Sequence, residues 1–236
     1  MKLSKRLATI VSLLDLPARI ADIGTDHAYL PIYVANLSPE SRIIAVENKQ
    51  QPYNAAKNNI NNSAVKDQIE LRLGSGLEPI KKWEINHLVI AGMGAKSIRE
   101  IITNSYPLAQ SLDKIILQPM AGADKLRSWL VANNFKLVDE LLVEEKEIYQ
   151  ILLVEAGYQK YDDDFLLELG PKLIKKAMNG EQNSLVIKYL TNLESKWQRV
   201  IKEIKKKKNT NHPKVVELEE KIKRLKFILQ EVKDNE

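Results

Sequence analysis

The chain has 236 residues, of which 44% are hydrophobic and 28% are charged, so it is long enough for one large domain or for a medium domain with a small appendage. The absence of cysteine excludes a disulfide framework and thiolate metal sites, and the three histidines are scattered, which argues against a catalytic metal cluster. No apolar run approaches the ~18 residues that cross a bilayer, and residues 1–16 alternate apolar and basic positions as an amphipathic helix does, unlike a signal peptide. We therefore expect a cytoplasmic protein without a metal and without a membrane segment.

The net charge of +5 is concentrated near one end of the chain. Residues 1–158 contain 18 Lys+Arg and 18 Asp+Glu, whereas residues 159–236 contain 18 and 13. A charge excess confined to one segment is typical of an element that binds a polyanion such as nucleic acid. The alternative interpretation is a solvated helix pair whose lysines only keep it soluble.

The first two thirds of the chain alternate short apolar runs with amphipathic stretches. The apolar runs predict strands at residues 19–24, 42–46, 69–73, 87–91 and 114–117. The amphipathic stretches predict helices at residues 28–37, 52–62, 97–103 and 123–133. Short, continuously apolar strands that alternate with helices indicate a doubly wound α/β fold with a parallel sheet.

Two more strand-like runs follow, at residues 136–144 and 148–156. The connection between them is too short for a crossover helix, so they predict an antiparallel hairpin at the sheet edge. A sheet that ends in this way favours the Rossmann-like fold of class I methyltransferases over that of a dehydrogenase.

The last part of the chain has a purely helical pattern. The polar segment 158–164 predicts a linker, and residues 171–178 predict a short helix. Apolar residues then recur at heptad spacing in two runs joined by a break at residues 205–213, which predicts an antiparallel coiled-coil hairpin; the runs are Val186, Leu190, Leu193, Trp197, Val200 and Ile204, then Val215, Leu218, Ile222, Leu225, Leu229 and Val232. We thus expect two domains, a cofactor-binding one at 1–158 and a basic hairpin at 159–236.

The segment ADIGTDHAYLP, residues 21–31, is the most informative motif. A strand that ends at Asp22 and turns at Gly24 into a helix is the first nucleotide-binding loop of a doubly wound fold. A dehydrogenase needs G-x-G-x-x-G here for its diphosphate. The carboxylates of Asp22 and Asp26 would repel a diphosphate but suit a ligand with an ammonium and a sulfonium group, such as S-adenosylmethionine.

Polar or small residues also follow the other strands of the predicted sheet. Glu47 ends the second strand, where an acid can accept hydrogen bonds from ribose hydroxyls. Because the carboxyl ends of parallel strands share one edge, we expect these positions to form a single cofactor site; they are Glu47 and Asn48, then Gly74, Ser75, Gly76 and Leu77, then Gly92 and Met93. Gln118, Pro119 and Met120 follow the fifth strand at the same edge.

The segments ADIGTDHAYLP, RLGSGL, AGMGA and LQPMAGADKLRSWL, with the helical hairpin, resemble the bacterial tRNA (adenine-N1)-methyltransferase family, which modifies adenine 22 in the D-arm region. The resemblance covers essentially the whole chain. It implies that Asp22, Gly24, Asp26 and His27 line the cofactor, with Glu47 on its ribose and Met93 near its methionine part. Two positions depart from the family pattern: Ser75 stands where an acid is frequent, and Met120 where Asn is common.

The resemblance implies attack of adenine N1 on the sulfonium methyl group of S-adenosylmethionine. We expect Asp26 to stabilise the positive charge on the methylated base, His27 and Tyr29 to orient the base, and Gln118 to contact its edge, with Pro119 and Met120 beside it. The base must be turned out of its stack, while lysines of the hairpin hold the tRNA backbone; the foremost of these are Lys205, Lys206, Lys207 and Lys208.

Other functions fit parts of this pattern. A methyltransferase acting on a small molecule or on another RNA would share the cofactor site, and a non-catalytic RNA-binding protein could retain the fold. A nicotinamide dehydrogenase is disfavoured by the missing glycine triplet. The hairpin has a further interpretation as a dimerisation or folding device, although an intramolecular hairpin favours a monomer.

Overall fold

The computed structural model describes residues 3–206 and 212–234. By their internal contacts the residues form two units, Met1–Glu168 and Leu169–Glu236. The first contains the sheet and the second is helical.

A seven-stranded sheet organises the first unit. Its strands in chain order are β1 (Arg19–Ile23), β2 (Arg42–Glu47), β3 (Ile69–Leu73), β4 (His87–Met93), β5 (Lys114–Pro119), β6 (Phe135–Glu144) and β7 (Ile148–Ala156). They lie in the order β3-β2-β1-β4-β5-β7-β6. The first five are parallel, and β7 pairs antiparallel with both β5 and β6. This confirms the predicted Rossmann-like methyltransferase sheet with its terminal hairpin.

Helices cover both faces of this sheet, which explains why its strands are apolar at successive positions. Along β4, Leu88 and Ile90 belong to one buried cluster while Val89 belongs to the other. The helices of this unit are α1 (Lys5–Ser12), α2 (Tyr29–Leu37), α3 (Gln50–Asn61), α4 (Ala95–Asn104), α5 (Tyr106–Ala109), α6 (Ala123–Ala132) and α7 (Phe165–Leu169), with a 3₁₀ turn at Lys66–Gln68. The sequence pattern did not predict the single turn of α5.

Helix α1 is held at the carboxyl edge of the parallel strands. Because β7 runs antiparallel to β5, the turn between β6 and β7 lies at the edge where β1 to β5 end. The backbone N–H of Arg6 donates to the carboxylate of Glu145 in that turn at 2.7 Å. The first helix is thereby brought next to the nucleotide-binding loop.

Residues 158–164 contain no helix or strand, yet they are attached to the first unit. The side chain of Gln159 accepts a hydrogen bond from the Leu137 backbone N–H at 2.7 Å, and Tyr161 packs against the buried cluster on one face of the sheet. The first unit accordingly extends to Glu168, beyond the boundary predicted at residue 158.

The second unit contains three helices, α8 (Pro171–Met178), α9 (Asn183–Lys206) and α10 (Pro213–Asp234). Helices α9 and α10 form the predicted hairpin, and Ile201, Val215 and Leu218 are buried between them. Two ion pairs link the helices in antiparallel order, Lys205 with Glu219 at 2.7 Å and Lys226 with Glu194 at 3.5 Å.

Candidate active site

A cavity of about 540 Å³ opens at the carboxyl ends of β1 to β4. Its lining brings together most of the residues predicted to bind the cofactor, from four separate strand ends: Gly24, Asp26, Glu47, Asn48, Gly74, Ser75, Gly76, Leu77, Gly92 and Met93. Strand register explains this convergence, since parallel neighbours end at one edge. Residues of α4 that the sequence analysis did not single out, among them Ser97 and Ile101, line the same cavity.

Glu47 is buried at the end of β2 and its carboxylate is fixed by backbone donors. Its Oε1 accepts hydrogen bonds from the N–H groups of Asn48 at 2.9 Å and Lys49 at 3.0 Å, and its Oε2 accepts one from the N–H of Asp26 at 3.2 Å. Each carboxylate oxygen has two lone-pair sites, so Oε2 retains one site that can accept a further hydrogen bond. The arrangement suits a ribose hydroxyl.

Asp22 is a buried carboxyl at the end of β1, with 6% of its surface exposed. Burial raises the pKa of Asp22 to about 6, and the nearby carboxylate of Glu47 acts in the same direction. A cation placed beside Asp22 would favour the ionised form. The group is therefore prepared for a positively charged ligand rather than for a phosphate.

The loop after β1 has an unusual backbone. Gly24, Asp26 and Ala28 have φ values of +75°, +51° and +56°, in the left-handed region that residues with a Cβ rarely adopt. A Cβ on Gly24 would also lie 2.2 Å from Cε of Met93. Backbone strain held in place by the surrounding structure is frequent where a chain binds a ligand.

A second cavity of about 390 Å³ adjoins the first, and Gly24, Asp26, Ala91 and Gly92 line both. Its other lining residues are Arg6, Leu7, Asp22, Thr25, His27, Tyr29, Leu30 and Met120. The rings of His27 and Tyr29 stack with centroids 5.3 Å apart, and Tyr29 and Met120 are 45% and 50% exposed. This cavity offers flat and soft apolar surfaces suited to an aromatic base.

The structure places Gln118 and Pro119, which were predicted to contact the substrate, inside the protein. Both are buried at the end of β5. The carboxamide oxygen of Gln118 accepts from Arg6 Nη1 at 2.5 Å and from the Gly92 N–H at 3.1 Å, and its Nε2 donates to the Pro119 carbonyl at 3.0 Å. Both ends of the Gln118 amide are engaged inside the protein, and its contact with the base edge stays a prediction.

Arg6 is the residue that sequence reasoning missed. A single arginine on an amphipathic helix has the pattern of a solvated surface residue. Only the long-range contact of α1 with the β6–β7 turn and with Gln118 brings it to the second cavity. The sequence contained no local signal that could have identified it.

Within residues 3–206 and 212–234, no three His, Cys, Asp or Glu side chains are grouped so that they could hold a metal ion. No helix in the described part of the chain combines the length and the apolar character needed to cross a membrane.

The residues present fit S-adenosylmethionine. Asp22 and Asp26 would provide negative charge for its ammonium and sulfonium groups, Glu47 would provide an acceptor for its ribose, and the bare backbone at Gly24 and Gly92 would allow close approach. A diphosphate would meet carboxylates at the same loop.

Comparison with known proteins identifies the family of the chain. The family model described as "Methyltransferase domain" matches residues 3–152, so this part of the chain is a methyltransferase domain. The tRNA (adenine(22)-N(1))-methyltransferase of Bacillus subtilis (strain 168) is 33% identical over 97% of this chain and 98% of its own length. The chain therefore belongs to the tRNA (adenine(22)-N(1))-methyltransferase family.

Two solved structures cover both units. The Streptococcus pneumoniae protein Sp1610, solved in complex with S-adenosyl-L-methionine, is 30% identical over 97% of this chain and 100% of that chain, with a TM-score of 0.84. TrmK of M. capricolum, solved with S-adenosyl-homocysteine, is 29% identical over 98% of this chain and 100% of that chain, with a TM-score of 0.82.

Proposed function

We propose that this protein transfers a methyl group from S-adenosylmethionine to N1 of an adenine in tRNA, at position 22. The single observation that carries the proposal is the convergence of Asp22, Asp26 and Glu47 at one sheet edge, beside a second cavity with an aromatic stack. The B. subtilis relative bears the name of this activity and spans nearly the same length. The cofactors in the two solved relatives support the choice of ligand.

The chain's own residues would hold the cofactor by charge and by backbone shape. Glu47 would accept from a ribose hydroxyl, the segment Gly74–Leu77 would face the adenine, and Met93 would lie beside the methionine part. Asp22, buried and ionised next to a cation, would bind the ammonium end. When bound, S-adenosylmethionine supplies a sulfonium methyl group that the N1 lone pair of adenine displaces, the S–CH₃ electron pair remaining on sulfur.

The second cavity would hold the target base. Neutral adenine already carries a lone pair at N1, so positioning provides most of the rate and no strong general base is required. The stacked rings of His27 and Tyr29 and the exposed thioether of Met120 would sandwich the base. Asp26, shared by both cavities, would stabilise the positive charge that the base acquires.

The basic hairpin would bind the tRNA backbone. Lys202, Lys206 and Lys223 are exposed, and Lys205 makes a surface ion pair with Glu219 that is weak enough to exchange for a phosphate. Lys207 and Lys208, also expected to contact tRNA, lie outside the described residues. Because α9 and α10 bury their apolar stripes against each other, we propose that the protein is a monomer. We also propose that it acts in the cytoplasm and without a metal ion.

The proposed function is tested with two unmodified tRNA transcripts that differ only in adenine or guanine at position 22. Tritium from labelled S-adenosylmethionine is expected in the adenine-22 transcript and not in the guanine-22 transcript. Equal labelling of both transcripts would refute position 22 as the methylated nucleotide. Labelling of neither, with cofactor binding intact, would refute the substrate and direct the search to a small molecule or another RNA.

A further inference from the structure

Arg6 carries a guanidinium whose hydrogen-bonding capacity is only partly used. It lines the second cavity with Asp22, Asp26 and Gly92. Its Nη1 donates to Gln118 Oε1 at 2.5 Å, and its guanidinium carbon lies 5.5 Å from the centre of the Tyr149 ring. Among the described residues, its Nε and Nη2 donate no hydrogen bond. Guanidinium presents five N–H donors in a planar fork, so most of this fork is available to a ligand.

Buried groups fix the position of this fork. Gln118 is fully buried, and its carboxamide is oriented by the Gly92 N–H at 3.1 Å and by its own donation to the Pro119 carbonyl at 3.0 Å. The Arg6 backbone is tied to Glu145 at 2.7 Å, while the Tyr149 ring supports the guanidinium from the side. A side chain held at both ends in this way loses little conformational entropy when it binds a ligand.

The charges of the second cavity are divided between two kinds of group. Asp22 and Asp26 are the carboxylates and Arg6 is the arginine in its lining. The ammonium and sulfonium groups of the cofactor suit the carboxylates but give Arg6 no partner. A guanidinium next to a base that becomes cationic would oppose methyl transfer unless an anion neutralises it. If Asp22 and Asp26 are paired with the cationic groups of the cofactor, an oxyanion is a ligand group that would neutralise Arg6 within this cavity.

We propose that Arg6 is an oxyanion-binding residue of the methyl-transfer site and that Gln118 is its positioning residue. The oxyanion is either the carboxylate at the amino-acid end of S-adenosylmethionine or a phosphate of the target nucleotide, since both match the guanidinium fork. This inference rests on the proposed function for the identity of these two ligands.

The experiment compares the full-length wild type with Arg6→Met and with the control Lys5→Met, which removes an exposed charge from the same helix. Calorimetry gives the Kd of S-adenosylmethionine and of its decarboxylated analogue, and filter binding gives the Kd of an unmodified tRNA. Loss of one charge-assisted contact weakens binding roughly tenfold to a hundredfold. If the carboxylate is the partner, Arg6→Met raises the Kd of S-adenosylmethionine by this factor. The decarboxylated analogue then binds the wild type and the variant with equal Kd.

If a phosphate is the partner, cofactor affinity is unchanged and tRNA affinity falls by a similar factor. Arg6→Met matching Lys5→Met in all three Kd values would overturn the proposal. Wild-type protein that binds cofactor but no tRNA contradicts the proposed function instead, and the two cofactor Kd values then still decide for or against Arg6.

The role of Gln118 is tested by Gln118→Met and Gln118→Glu. Gln118→Met removes the acceptor of Arg6 and is expected to weaken binding of the same oxyanion. Gln118→Glu keeps an acceptor oxygen but places a negative charge beside Arg6 that repels the oxyanion, so it is expected to weaken binding at least as much. In the Arg6→Met background, Gln118→Met is expected to raise the Kd of the ligand by less than a further twofold, because the arginine that Gln118 positions is already absent. Full additivity of the two substitutions would overturn the positioning role.

Discussion

Asp22→Asn is expected to make the cofactor-free protein more stable while it weakens cofactor binding. Asp22 has a pKa of about 6 in the folded protein against 3.8 for an ordinary aspartate. Because its folded pKa is raised, the group contributes its full stability below pH 3.8 and loses that stability as the pH rises through about 6. At 1.36 kcal/mol per unit of pKa, the difference corresponds to about 3 kcal/mol above pH 7.

The assay is urea unfolding of the wild type and of Asp22→Asn between pH 4 and pH 8, with the exposed Asp67→Asn as control. The gain in unfolding free energy of Asp22→Asn over the wild type should grow from below about 1 kcal/mol at pH 4 to about 3 kcal/mol at pH 8. A gap that does not change with pH would refute the reasoning. At pH 7.5 the same variant should bind S-adenosylmethionine at least tenfold more weakly, because the buried anion that we propose as the partner of the ammonium group is absent.

Four further changes probe the site and the hairpin. Glu47→Gln replaces an acceptor oxygen with a donor and should weaken cofactor binding about tenfold in calorimetry, as expected for a charged hydrogen bond; unchanged affinity would remove the ribose contact. Gly24→Ala should cost about 1–2 kcal/mol of stability from the left-handed backbone alone, and more from the collision with Met93. Adding Met93→Ala removes the collision and should recover only part of the loss in thermal unfolding, so full recovery would contradict the backbone argument. Asp26→Asn should slow single-turnover methyl transfer about tenfold at saturating cofactor, and an unaltered rate would exclude charge stabilisation. Lys223→Glu should weaken tRNA binding and reduce the slope of log Kd against log salt by roughly one phosphate contact; a slope equal to that of the wild type would place Lys223 outside the interface.

The sheet could be predicted because its signals are local. Each buried strand is a short apolar run, and the absence of room for a helix between β6 and β7 predicts their hairpin. The cofactor edge follows from topology, since residues after parallel strands must converge there. The positions of Glu47 and Asp22 at that edge were therefore predictable without coordinates.

The second cavity could not be predicted in the same way. Arg6 and Gln118 are 112 positions apart, and their contact depends on how α1 lies against the β6–β7 turn. Gln118 ends a strand as the cofactor residues do, but its side chain turns into the protein, which sequence spacing does not reveal. The left-handed conformation of Ala28 also contradicts the local preference of alanine, and tertiary contacts impose it.

The most direct test of the central claim is the identity of the methylated nucleoside. Bulk bacterial tRNA that lacks the modification is incubated with the protein and tritiated S-adenosylmethionine, digested to nucleosides and separated by chromatography. Attack by the ring nitrogen predicts that the label elutes as 1-methyladenosine. Label in N6-methyladenosine, or in a nucleoside other than adenosine, would contradict the assignment of N1 as the nucleophile.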